Sequence, residues 1–122
     1  MIMLLHLLIL GLNFHLIDVR DEESVAKLFY SLKQSGEKIN GLVNNAAILD
    51  STQFDELNSE RIKEVLEINL GGTLNFTRYA VPLLEASVRS AIVNVASIQG
   101  IFGSRSSIPY SSSKGAIVNL TR

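Results

Sequence analysis

The chain has 122 residues, 47% apolar and 19% charged, with a formal net charge of −1. That length suits one small domain, and the composition is globular and excludes a disordered chain. The near-neutral balance gives no reason to invoke nucleic acid or an anionic membrane; with no cysteine and only His6 and His15, both without nearby ligand partners, disulfides are excluded and no metal site is expected.

Met1 to Leu12 is almost wholly apolar. The run is shorter than the roughly 18–20 residues of a spanning helix. It also lacks the basic start and small-residue cleavage site of a signal peptide. It reads as a buried strand or helix, or as a start distorted by truncation, and a cytoplasmic protein is expected.

Leu12 to Ile17 alternates loosely and predicts a strand that stops near Asp18. Val25, Leu28, Phe29 and Leu32 then recur on one helical face. Asp21 suits the N-cap, Glu22 and Glu23 suit the positive end of the helix dipole, and Gly36 ends the helix. Ile39 to Val43 predicts a second strand, followed by Asn44-Asn45-Ala46-Ala47 and a loop to about Leu57. Asn58 or Ser59 caps a long helix with Glu60 in its first turn; its buried stripe reads Ile62, Val65, Leu66, Asn69, Thr73, Phe76 and Ala80. Asn69 breaks that stripe, and a buried amide needs definite partners. Pro82 removes a helical donor, so the helix should kink or end nearby.

Ala91 to Ala96 predicts a third strand, closed by Ser97. Gly100 and Gly103 should loosen the following loop, and Ser106 or Ser107 caps a last helix with Pro109 in its first turn. Ala116, Ile117 and Leu120 carry that helix to Arg122. Strands alternating with helices predict βαβ units around a parallel sheet, in which ligands bind beyond the carboxyl ends of the strands. Asp18, Asn44-Asn45 and Ser97 all fall there.

A free tyrosine, with a pKa near ~10, is a poor base at neutral pH. A cation held close favours the phenolate. Lys114 stands four residues after Tyr110, on the same helical face. Tyr110 is thus a candidate acid/base, and Ser97 a candidate to orient a carbonyl or hydroxyl. The bland alternatives are a half-buried tyrosine beside a solvated lysine, Asn69 as a polar core residue, Asn44-Asn45 as a plain turn, and Asp18 as a surface cap.

Taken together, Asn44-Asn45-Ala46-Ala47, Asn69, Ser97 and Tyr110 with Lys114 resemble the short-chain dehydrogenase/reductase family, in its compact single-domain subfamily. The resemblance runs from about Leu12 to Arg122. It implies an α/β fold with a partial doubly wound, Rossmann-like parallel sheet of about three strands and flanking helices. It implies NAD or NADP as cofactor, and hydride transfer between nicotinamide and a small alcohol or carbonyl. Tyr110 would be the acid/base, and Lys114 would lower its pKa and bind the nicotinamide ribose. Ser97 would hold the substrate oxygen, and Asn69 would support a water in the proton relay. Asp18 and Val19 match the family's adenine-contacting pair. Asn44, Ala46 and Ala47 match its Asn-Asn-Ala-Gly segment, with Ala47 in place of the glycine.

The family's Gly-rich pyrophosphate turn has no counterpart, since Gly11 is the only glycine before Gly36. The expectation is a single partial domain over residues 1–122, lacking that turn and a C-terminal substrate part. In the family's sheet the first two strands read above are not neighbours. Either the apolar N-terminal run fills part of the gap between them, or these strands pair directly, or the sheet is left with an exposed edge and a sticky face; a three-stranded parallel core of marginal stability is expected. The complete protein would be a homo-oligomer through the helices near 58–86 and 107–122. The alternative function is a non-catalytic fragment acting through those helices. An epimerase or dehydratase of the extended branch shares Tyr-x-x-x-Lys, but Asn69 and the Asn-Asn-Ala segment argue against it.

Overall fold

The computed structural model describes residues 3–4 and 13–122. Strand β1 (Met3–Leu4) pairs antiparallel with β2 (His15–Leu16). The rest of the apolar N-terminal run, read above as a strand or helix, lies outside the described residues. Helix α1 (Glu22–Gln34) starts where Asp21 accepts the N–H groups of Glu23 and Ser24 at 3.1 and 3.3 Å. It stops at Gly36, whose φ of +72° lets the Glu37 N–H return 3.1 Å to the Leu32 carbonyl.

Strand β3 (Gly41–Asn44) pairs in parallel with β4 (Ala91–Asn94), from Gly41 opposite Ala91 to Asn44 opposite Asn94. Between them runs one long helical segment: α2 (Ser59–Leu66), a π-turn (Glu67–Gly71) and α3 (Gly72–Glu85). Asn58 caps it by accepting the Arg61 N–H at 2.8 Å, and it ends one turn past Pro82. Helices α4 (Gln99–Phe102) and α5 (Ile108–Leu120) complete the chain.

The architecture is α/β, a partial doubly wound arrangement of a parallel strand pair with flanking helices. Three differences from the sequence reading matter. The strands are shorter, and β2 joins β1 instead of the parallel pair. A groove of about 800 Å³, lined by residues such as Phe14, Val19, Leu42 and Ala46, separates the two sheets. The stretch after Ser97 is helical where a loose loop was expected. Ile62, read as part of the buried stripe, is exposed, whereas Ile68 is buried. The π-turn adds a residue to one turn and shifts the inward face there.

The core lies on one side of the parallel pair. Ile17, Val19, Val25, Phe29, Ile68 and Phe76 pack together, with the Phe29 and Phe76 rings edge to face at 5.7 Å. Leu42 and Ile92 close that core from the strands. Residues of the opposite pleat, Val43, Val93 and Val95, are 60%, 53% and 39% exposed. A parallel sheet is ordinarily covered on both faces; here the pleat carrying Val43, Val93 and Val95 is exposed, as in one of the three arrangements the sequence left open. No helix among the described residues is long and apolar enough to cross a membrane.

This one-sided core makes a stability prediction. Phe76→Ala should cost about 3–5 kcal/mol, whereas Val43→Thr on the bare face should stay within about 0.5 kcal/mol. Urea denaturation measures both, and similar losses at the two positions would place the core on the wrong face.

Candidate active site

The candidate residues lie at and beyond the ends of the parallel strands. The β3–β4 ladder reaches one residue past the strands, where the Val95 N–H donates to the Asn44 carbonyl at 2.9 Å. Ser97 follows. Its Oγ accepts the Gln99 N–H at 3.2 Å, which leaves its own hydrogen free to donate. Tyr110 and Lys114 sit on α5. The Lys114 Nζ lies 5.8 Å from the centre of the Tyr110 ring and donates to the Val95 carbonyl at 2.5 Å. Lys114 is 4% exposed and has no carboxylate in ion-pair distance among the described residues. Burial holds its ammonium below the ordinary lysine range, because the charged form loses its water.

Asn69 finds the partners its burial demands. It occupies the π-turn and is 1% exposed. Its Oδ1 accepts the Ile48 N–H at 2.8 Å, and its Nδ2 donates to the Ile48 carbonyl and to Ser113 Oγ, both at 3.0 Å. Ser113 in turn donates to the Tyr110 carbonyl at 2.7 Å. The Thr73 hydroxyl donates to the Asn69 carbonyl at 2.9 Å.

The structure links Asn69 to α5 through Ser113, sets Lys114 beside Tyr110, and ties Lys114 to the end of β4 at Val95, two residues before Ser97. It treats the residues expected on the cofactor side differently. The Asn44 amide faces the helix-covered side and donates to Thr77 Oγ1 at 3.0 Å and to Asn94 Oδ1 at 2.8 Å. Its side chain therefore pins the sheet, and the exposed surface at this strand end comes from Asn45 onward. Ala46 packs on the core and Ala47 is half-buried. Asp18 follows β2 and is ion-paired with Arg20, whose hydrogen bonds draw the Asp18 carboxyl down to about 2. The Val19 side chain is buried against Gly72, where an added Cβ would stand 2.5 Å from Val19 Cγ2, and its carbonyl accepts from Asn75 at 3.0 Å.

Four features escaped the sequence reading. Ser113, fully buried, was one serine among several, with nothing local to mark it. Thr73 was read only as a stripe residue. Gly100 is a contact point: an added Cβ would stand 2.6 Å from the Lys114 carbonyl carbon and 2.8 Å from the Gly115 N. Asp50 is 2% exposed; it pairs with Arg61, which also reaches Glu64 at 2.5 Å, and it accepts the Thr52 N–H at 2.8 Å. Asp50 thereby ties the loop after β3 to α2.

Two outcomes follow. Gly100→Ala should push α4 off α5, destabilising the chain by about 1–3 kcal/mol; an unchanged thermal midpoint would mean the crossing is looser than described. The hydrogen bond from Arg61 holds the Asp50 carboxyl below its ordinary value. Its stabilisation is therefore complete above the ordinary carboxylate pKa of about 3.9 and is lost as pH falls through the lowered value. The gap in urea midpoint between the wild type and Asp50→Asn should be widest at neutral pH and close below about pH 4. A gap that widened with acid would contradict the pairing.

The short chain dehydrogenase family model matches residues 11–122. The L-fucose dehydrogenase of Bos taurus is 33% identical over 92% of this chain and 42% of its own length. The 3-oxoacyl-(acyl-carrier-protein) reductase FabG of Thermotoga maritima is 29% identical over 88% of this chain and 44% of its own length. The solved structure of a tyrosine-to-phenylalanine variant of ElxO with NADPH bound superposes with a TM-score of 0.82, at 31% identity, over 88% of this chain and 44% of that one. The chain thus spans less than half the length of the relatives it matches. With the family model spanning all but its first ten residues, this chain belongs to the short-chain dehydrogenase family.

Proposed function

We propose that this chain carries the proton-transfer side of an oxidoreductase acting between a small alcohol and its carbonyl. The observation that carries the reading is the buried Lys114 ammonium, held beside Tyr110 with a lone carbonyl for company. When bound, NAD or NADP would supply or take up the hydride. The residues suit its nicotinamide end: Lys114 keeps two N–H donors beyond the one given to Val95, which matches a ribose diol. Asn45, Ala46 and Ala47 offer small side chains and backbone to a flat ring. Asp18 and Val19 stand at the adenine end in this reading, with the Asp18 carboxylate already engaged by Arg20.

In the reducing direction the Tyr110 hydroxyl gives its proton to the substrate oxygen as that oxygen gains charge, and in the oxidising direction the phenolate takes it back. The Ser97 hydroxyl donates to the same oxygen and fixes its place. The Lys114 ammonium stabilises the phenolate left behind. Asn69 holds the chain around the pair and supports the proton relay through a water. The bound partner in this reading is a small alcohol or carbonyl, and the complete protein would be a homo-oligomer.

A second reading is a binding module that acts through the long helix and α5. It is favoured by the exposed Ile62, Leu74 and Leu120 on those helices. Titration with NADH and NADPH, followed by nicotinamide fluorescence, separates the two. Saturable binding at micromolar concentration supports the oxidoreductase; none up to millimolar, with a mass that rises with protein concentration, selects the module. In a preparation that turns over, Tyr110→Phe should lower kcat by about 10²–10⁴-fold, and unchanged activity would falsify the role given to Tyr110.

A further inference from the structure

We propose that Ser113 is a positioning residue for Tyr110 and Lys114, fixing the rotation of α5 by bonding its first turns to the loop after β3 through Asn69. This rests on the reading of Tyr110 and Lys114 as the working pair. The bonds form one chain across three segments. Ile48 in the loop holds both ends of the Asn69 amide, Asn69 donates to Ser113, and Ser113 donates to the Tyr110 carbonyl. Ser113 is 0% exposed, so no water can stand in for either partner.

The geometry of α5 shows why its rotation needs fixing. Gly100 and Gly115 meet backbone to backbone, and an added Cβ on Gly115 would lie 3.2 Å from the Gly100 carbonyl oxygen. That crossing sets how closely α5 lies against α4. Two glycines carry no side chains to interlock, so it leaves rotation about the helix axis open. The far end is pinned by buried Ile117 and by the bond from Asn94 to Thr121 at 3.0 Å. At the near end Ser111 donates to Gln99 at 3.4 Å and Lys114 to the Val95 carbonyl at 2.5 Å, and the bond of Ser113 with Asn69 is the fully buried one of the three. Ser113 stands about 60° around the helix from Tyr110 and about 100° from Lys114. A turn that broke its bond would swing both residues and bring the Lys114 amine toward water.

The test reads Lys114 directly. Lysine carrying ¹³C at Cε is incorporated into the full chain and titrated by NMR, with the Lys114 signal assigned by its loss in Lys114→Met. In the wild type Lys114 should titrate below the ordinary lysine value. In Ser113→Ala its midpoint should move up toward that value. In Ser113→Thr, which keeps the hydroxyl, it should return, and Asn69→Ala added to Ser113→Ala should move it no further. A midpoint unmoved in a Ser113→Ala chain that still unfolds cooperatively overturns the proposal, as does a Thr variant that behaves like Ala. If Ser113→Ala does not fold, Ser113→Cys, close in volume and weaker in hydrogen bonding, is read the same way. The titration needs neither nicotinamide nor substrate, so failure to bind NADH would retire the oxidoreductase reading and leave this result standing.

Discussion

A primary amide in a dry core must be paired on each side, and the site is built around one that is. Leaving the Asn69 amide unpaired would cost about 1–3 kcal/mol, a sizeable part of the stability of a small one-sided core. Satisfying it draws three segments together: the loop at Ile48, the long helix and α5 through Ser113. The helix widens into a π-turn at that residue. Such a turn is frequent at functional sites, and here the Thr73 hydroxyl donates to the Asn69 carbonyl within it. No buried side-chain nitrogen or oxygen among the described residues is left without a partner. A polar network closed in this way rigidifies what it touches.

Lys114 depends on that rigidity. A charge taken out of water costs several kcal/mol unless something compensates it. Here the compensation is one carbonyl, that of Val95, at the end of β4. A carboxylate in that place would fix the ammonium and cancel its field. A lone carbonyl leaves the field to act on whatever negative charge appears nearby, and Tyr110 is the titratable neighbour. Among the described residues the ion pairs lie elsewhere: Arg20 with Asp18, Lys27 with Glu23, Arg61 with Asp50 and Glu64, Lys63 with Glu67, and Arg78 with Glu22. They tie helices and loops, and the site keeps its cation uncommitted.

What the sequence made legible was what is local in the chain. Asp21 and Asn58 cap the helices assigned to them, Gly36 ends α1 with positive φ, and Pro109 sits in the first turn of α5. The amide at Asn69 announced itself as an anomaly in an apolar stripe, and its need for partners was correctly read. What stayed hidden depends on neighbours distant in sequence. Nothing around Ser113 distinguishes it from the serines before it until Asn69 is brought alongside. Gly100 reads as a flexible position until Gly115 is seen against it. Asn44 could be read only as a plain turn or as part of the family's Asn-Asn-Ala-Gly segment, because its side-chain partners, Thr77 and Asn94, come from other elements. The separation of β2 from the parallel pair is likewise a matter of which strands meet.

The two halves of the candidate site therefore differ in kind. The proton-transfer half is held by short bonds among β4, the long helix and α5, all on the covered side of the strand pair, and each bond has both partners among the described residues. The half proposed for a nucleotide would stretch from Asn45 across the groove to Asp18, which follows β2 of the other sheet. Its residues are spoken for by packing and by Arg20, and its geometry turns on how the two sheets are joined. Short polar contacts preserve local geometry even where a sheet is bare on one face. A dinucleotide, which must be gripped at both ends, makes the heavier demand on the framework. The dependence runs from Asn69 outward: the proposed acid/base pair is set by bonds local to it, whereas the seat proposed for the cofactor depends on what joins the two sheets.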